Sequence, residues 1–156
     1  MLKLTAAAAV LSGLFVEVFR VNGLLLEAGD VITAPLGLTS ARWQVLGVVD
    51  QDPVPVATVA RTMGLTRQSV QLTADALERD RFIEYVDNPH HRRAKLIAIT
   101  EAGRSALREV EARHATWANR LGRQLDAGAL RAAAEGLQQV REHLEQDLAT
   151  MPERKA

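Results

Sequence analysis

Val56-Ala57-Thr58-Val59-Ala60-Arg61-Thr62-Met63-Gly64-Leu65-Thr66-Arg67-Gln68-Ser69-Val70 reads as two short helices joined by a sharp turn. Ala60 is small where the two helices must cross closely. Gly64 can adopt positive φ, which the turn demands. Val70 faces back from the second helix, and Val59, Met63, Leu65 and Leu77 are expected to complete a small core with it. Such a pair leaves one face of the second helix protruding, free to enter a major groove. That face opens with Thr66, Arg67, Gln68, Ser69 and Gln71. Arg pairs with guanine and Gln with adenine, and backbone N–H groups at a helix start attract phosphate. A merely solvated polar face has the same composition, so the helix alone does not decide between them.

The residues that follow add weight. Phe82 to Val86 and Lys95 to Ile99 read as two strands. Between them Asp87-Asn88-Pro89-His90-His91-Arg92-Arg93 is a turn-rich basic connector, with Lys95 just beyond. A cationic hairpin beside a protruding helix can reach a flanking minor groove, where negative potential attracts Arg.

Outward from this module, residues 4–28 form an apolar-periodic segment, with Leu11, Leu14, Phe15, Val18, Val21, Leu25 and Leu26 at three- and four-residue spacing. Gly29-Asp30 is expected to end that helix, and the segment with Pro35 and Gly37 to be a loop. Thr39 caps a helix from Ser40 to Asp50, and Gln51 to Pro55 is a connector rich in breakers. Thr100 caps a long helix reaching about Gln124, and Asp126 caps another from Ala127 to Leu148. The expected class is mainly α with a small β-hairpin: a winged helix-turn-helix lobe at 39–100, flanked by dimerisation helices at 4–30 and 101–150.

Composition bounds the chemistry. Lys+Arg and Asp+Glu both number 19, so any attraction to nucleic acid must be local. There is no cysteine, which removes disulfides, thiolate metal sites and cysteine nucleophiles. The Ala6 to Leu11 run resembles a signal peptide only briefly, because Glu17 and Arg20 interrupt it. The stretch reads as too short and too charged to span a bilayer, so a cytoplasmic protein without membrane association is expected. His90, His91, His114 and His143 lack metal-ligand spacing, and no phosphate-binding glycine loop or nucleophile elbow occurs. Neither metal, cofactor nor enzymatic activity is expected.

Leu38-Thr39, the helix-turn-helix, the wing ending His91-Arg92-Arg93-Ala94, and Ile99-Thr100-Glu101-Ala102-Gly103 together resemble the MarR family of bacterial regulators. The resemblance spans nearly the whole chain. It implies a homodimer with interlocked terminal helices on a pseudo-palindromic operator in double-stranded DNA. It further implies a transcriptional regulator, commonly a repressor, released by a small and often phenolic effector. Thr66, Arg67, Gln68, Ser69 and Gln71 would then contact the groove, and His91, Arg92, Arg93 and Lys95 would serve the wing. Phe15, Phe19, Arg20 and Trp43 are candidates for an effector pocket, since an aromatic beside a cation suits a planar acid. Packing of the first two helices is the competing reading for them.

The chain also departs from the family pattern. His91 stands where Asp is usual, Leu72 and Ala76 where Arg is common, and Arg81 where Gly is common. A winged-helix protein-interaction module that no longer reads DNA is therefore the alternative.

Overall fold

A computed structural model describes residues 3–91 and 93–151 of the chain. The element order is α1 (Ala6–Thr33), a 3₁₀ turn (Ala34–Leu36), α2 (Ser40–Val49), β1 (Val54–Pro55), α3 (Val56–Met63), α4 (Arg67–Arg79), β2 (Ile83–Val86), β3 (Leu96–Ile99), α5 (Glu101–Gly122) and α6 (Ala127–Thr150). Two compact units divide at His114 and Ala115, inside α5. The mainly helical winged helix-turn-helix class expected from the sequence is what forms.

The largest departure is at α1. The helix does not stop at Gly29-Asp30 but runs on to Thr33. Gly29 is buried because it is a contact point: a Cβ there would lie 2.5 Å from Ser40 Oγ. Asp30 accepts the Ser40 backbone N–H at 2.7 Å, adding an acceptor at the exposed N-terminus of α2. Tertiary contact thus gives both residues a use inside a helix, overriding their breaker tendency. Thr33 is fully buried, and its hydroxyl donates to Gly29 O at 2.8 Å and lies 3.1 Å from Leu38 O. At 28 residues α1 also contains an 18-residue window of mean hydropathy 1.7, long and apolar enough to cross a membrane by length and composition alone. The expectation that this segment is too short to span is corrected accordingly.

The N-caps follow the sequence. Thr39, Thr66, Thr100 and Asp126 accept from Arg42 N, Ser69 N, Gly103 N and Ala129 N at 3.3, 3.1, 3.1 and 2.7 Å. The core of the first unit is built from Val45, Leu46, Val49, Val59, Val70, Leu77, Ile83, Ile97, Leu107 and Val110, all at most 2% exposed. Leu65 does not join it. At 43% exposure it lies just past the turn glycine, facing solvent. Met63 is half-buried.

The hairpin becomes a three-stranded antiparallel sheet in the order β1-β3-β2. Val54 and Pro55, read as mere connector, pair with Ile97 and Leu96. Two residues carry no period-2 signal, and Pro is tolerated there because an edge strand leaves its N-side unpaired. β2 pairs with β3 in the register Ile83↔Ile99 to Val86↔Leu96.

In the second unit α6 exposes Leu130, Leu137 and Leu144, spaced by seven residues, together with Leu148. α1 likewise exposes Leu11, Leu14, Val18, Val21 and Leu25 at alternating three- and four-residue steps. Within each unit these apolar seams stay exposed.

Candidate nucleic-acid interface

The turn between α3 and α4 forms as its residues require. Gly64 has φ 65° and ψ 30°, and its N–H closes α3 on Ala60 O and Arg61 O. Leu65 N then donates to Ala60 O at 2.9 Å. Ala60 and Val70 are buried at the crossing, at 4% and 1%. Arg42 of α2 pairs with Asp80 beyond the far end of α4, 2.7 Å away, tying down the end opposite the reading residues.

At the start of α4 the hydroxyls are already engaged. Thr66 Oγ1 donates to Ser69 Oγ at 3.1 Å, and Ser69 Oγ donates to Thr66 O at 2.9 Å. Their protons therefore serve the helix cap, so both side chains can offer only lone pairs outward. Arg67 and Gln68 stay exposed beside them.

A cleft of about 580 Å³ joins α4 to the wing. Its lining includes Arg67, Gln68 and Gln71 of α4, Tyr85 of β2, and Arg93 and Lys95 of the wing. Among the described residues Arg67, Arg93 and Lys95 form no ion pair. The structure thus brings Arg67 onto one concave surface with Arg93 and Lys95, which lie 26 and 28 positions later in sequence. Arg92 lies outside the described residues.

The wing tip is organised by Asn88. Its side chain accepts His90 N at 2.9 Å, its carbonyl accepts His91 N at 3.2 Å, and Ala94 N closes on His91 O at 2.9 Å. His90 and His91 are exposed there.

One part of this surface is not legible from residue types alone. Tyr85 on β2 donates its hydroxyl to Asp75 Oδ1 at 2.8 Å and accepts Gln71 Nε2 at 2.8 Å. Gln71 Nε2 also lies 2.7 Å from Asp75 Oδ1. Burial pushes the Tyr85 phenol well above its ordinary range, and the Asp75 carboxylate reinforces this, so the hydroxyl keeps its proton. The i,i+4 spacing of Gln71 and Asp75 was the available signal for two members of this triad. Tyr85 could be added only once the strand was placed.

The residues proposed for an effector pocket are more scattered. Phe19 is 74% exposed, Arg20 pairs with Glu17 at 2.8 Å, and Phe15 is half-buried on α1. Trp43 packs edge-on against His114, ring centroids 5.1 Å apart. A second cleft of about 630 Å³ lies elsewhere, lined by Leu36, Phe82, Ser105, Ala106, Arg108 and Ala112 among others. Sequence periodicity did not point to it.

The family model described as MarR family matches residues 36–94. An uncharacterised protein of Mycobacterium tuberculosis is 39% identical over 127 residues, covering 81% of this chain and 89% of its own. The transcriptional activatory protein BadR of Rhodopseudomonas palustris is 28% identical over 95 residues, covering 58% of this chain and 54% of its own. CouR of Rhodococcus jostii, solved with p-coumaroyl-CoA, superposes with a TM-score of 0.69 at 29% identity, covering 78% of this chain and 86% of CouR. The transcriptional repressor CouR, solved on a 23-mer DNA duplex, superposes with a TM-score of 0.72 at 26% identity, covering 80% and 89%. With its fold, its wing and this level of identity, the chain belongs to the MarR family of winged helix-turn-helix transcriptional regulators.

Proposed function

We propose that the protein binds double-stranded DNA as a homodimer, with α4 of each protomer in a major groove and each wing in the flanking minor groove. The carrying observation is the cleft in which Arg67, Gln68 and Gln71 converge with Arg93 and Lys95, its three cations free of ion pairs among the described residues. Free guanidinium and ammonium groups on a concave surface suit phosphate and base edges. CouR, solved on DNA, supports the same mode for this chain. Thr66 and Ser69 hold the start of α4 in shape, with His91 and Arg92 completing the wing. The lobe at 39–100 is the DNA-binding part. The helices at 4–30 and 101–150 carry dimerisation, which covers the apolar seams of α1 and α6. A dimer of this kind presents two recognition helices about 34 Å apart, one helical turn, and so selects a pseudo-palindromic operator. Such a role places the protein in the cytoplasm with the genome.

Within this reading the protein is a repressor released by a small aromatic acid or its thioester, as the ligand of CouR suggests. Phe15, Phe19, Arg20 and Trp43 are the proposed effector contacts. A second reading rests on Leu72, 66% exposed on α4 where a phosphate or base contact is expected. It makes the helix a docking face for another protein. Selection of genomic fragments by the full-length protein, with competition from nonspecific duplex, separates the two. Enrichment of a palindrome supports DNA reading, and absence of any enriched sequence overturns it. On the selected duplex, Arg93→Ala should weaken binding across all sequences and lower the log–log salt slope by about 1. An unchanged slope overturns the wing assignment.

A further inference from the structure

We infer that Tyr85 and Asp75 are positioning residues for base readout: they hold Gln71 with its amide carbonyl turned outward, so that α4 selects a base carrying a major-groove amino group. This rests on the DNA-binding reading of α4 and deepens it.

The orientation of the amide follows from chemistry. Asp75 Oδ1 only accepts hydrogen bonds, and it lies 2.7 Å from the Gln71 terminal group. The nitrogen must therefore face it, since a carbonyl there would set two acceptors against each other. Tyr85 spends its one proton on the same Asp75 oxygen at 2.8 Å, which leaves its lone pairs to accept from Gln71 at 2.8 Å. All three members agree on one arrangement, and the phenol, kept protonated by burial and by Asp75, does not leave it. Gln71 is exposed and lines the cleft beside Arg67 and Gln68, so its free oxygen is what that part of the groove meets. A free glutamine side chain would instead lose rotamer entropy on binding and could turn either end outward.

An outward carbonyl accepts. In the major groove the donors are adenine N6 and cytosine N4, while guanine O6 and thymine O4 would repel it. The base read by Gln71 is accordingly adenine or cytosine on the contacted strand.

The test uses full-length protein and a pool of randomised duplexes. Gln71→Ala first identifies the position that Gln71 reads, as the one whose preference it abolishes. There the unaltered protein should favour A or C over T or G by roughly five- to tenfold. Tyr85→Phe and Asp75→Ala should each flatten that same preference to about twofold while other positions keep theirs, an expectation built on the modest worth of one hydrogen bond. Neither change should reduce preference further in a Gln71→Ala background. Because neither Tyr85 nor its replacement is charged, the salt slope should not move. Two substitutions guard against misreading a folding defect, which would depress every position together.

Preference for T or G at that position overturns the inference, as does full preference in Tyr85→Phe. A uniform loss across all positions in both variants also overturns it, since it marks a purely structural role. If the unaltered protein enriches no sequence, the DNA-binding reading falls first and this one with it. If it enriches an operator whose preferences are indifferent to Tyr85 and Asp75, only this inference falls.

Discussion

Arg104 on α5 reaches Asp50 at the end of α2 twice from one nitrogen, at 2.9 Å to the backbone carbonyl and 2.9 Å to the carboxylate. The two residues are 54 positions apart, and Asp50 is the C-cap of its helix. A cation at a helix C-terminus meets both the orphan carbonyl and the negative end of the macrodipole.

That contact should be measurable despite partial solvent access. The side chains are 40% and 29% exposed, so solvent screens the pair. We expect Arg104→Met to lower unfolding free energy by about 1 kcal/mol, at the upper end for such pairs. In a double-mutant cycle with Asp50→Ala, urea unfolding should show positive coupling. A coupling of zero would mean that the Asp50 carboxylate adds nothing beyond the backbone-carbonyl bond and packing.

Gly103 explains why the residue after the wing must be small. Phe82 carries a carbonyl that accepts Thr100 N at 3.1 Å and lies 3.0 Å from Thr100 Oγ1. A Cβ on Gly103 would collide with that same carbonyl and with Ile99 Cγ1. Backbone cannot swing aside cheaply, so Gly103→Ala should cost on the order of 3 kcal/mol, the upper range for overpacking. Thermal unfolding reads it. A loss below 0.5 kcal/mol, about the noise of a surface change, would show that α5 can shift away from the sheet.

Arg81 is the one non-glycine at positive φ among the described residues, at 64°. It turns the chain from α4 into β2, with its N–H on Glu78 O at 2.9 Å and its carbonyl accepting Thr100 Oγ1 at 2.8 Å. Those bonds hold an L-residue where its Cβ is crowded. Arg81→Gly should therefore stabilise the protein by about 1 kcal/mol, less what glycine loses in chain entropy. Destabilisation in denaturant melts would mean the arginine side chain contributes more than the strain costs.

The seam on α6 makes a prediction about assembly. Leu137 sits midway between Leu130 and Leu144, and all three are exposed in the isolated chain. If a second copy covers them, Leu137→Glu buries a charge and should convert dimer to monomer at micromolar concentration in sedimentation velocity. A dimer that survives this change, and the equivalent Val18→Glu on α1, would remove these helices from the interface.

The helix-turn-helix and its caps were legible in the sequence because their determinants are local. Gly64 supplies a φ that few other residues adopt, and Thr39, Thr66, Thr100 and Asp126 each cap a backbone three residues away. The wing was legible as two short apolar runs about a turn-rich basic connector. The cations at its tip and on α4 could be named, though not the cleft they share.

What the tertiary structure alone decided are roles that depend on a distant partner. Gly29 reads as a helix breaker, yet its missing side chain admits Ser40 against the middle of the last turns of α1. Val54 and Pro55 read as connector until β3 offers an edge to pair with. Arg67, Gln68 and Gln71 read as a polar helix face. Sequence by itself determined which side chains stand on that face, because helical periodicity is local. Only the fold brought β2 alongside α4, where Tyr85 closes on Asp75 and Gln71. A short-range hydrogen bond depends on atomic positions that residues 10 and 14 apart acquire only when strand and helix pack together.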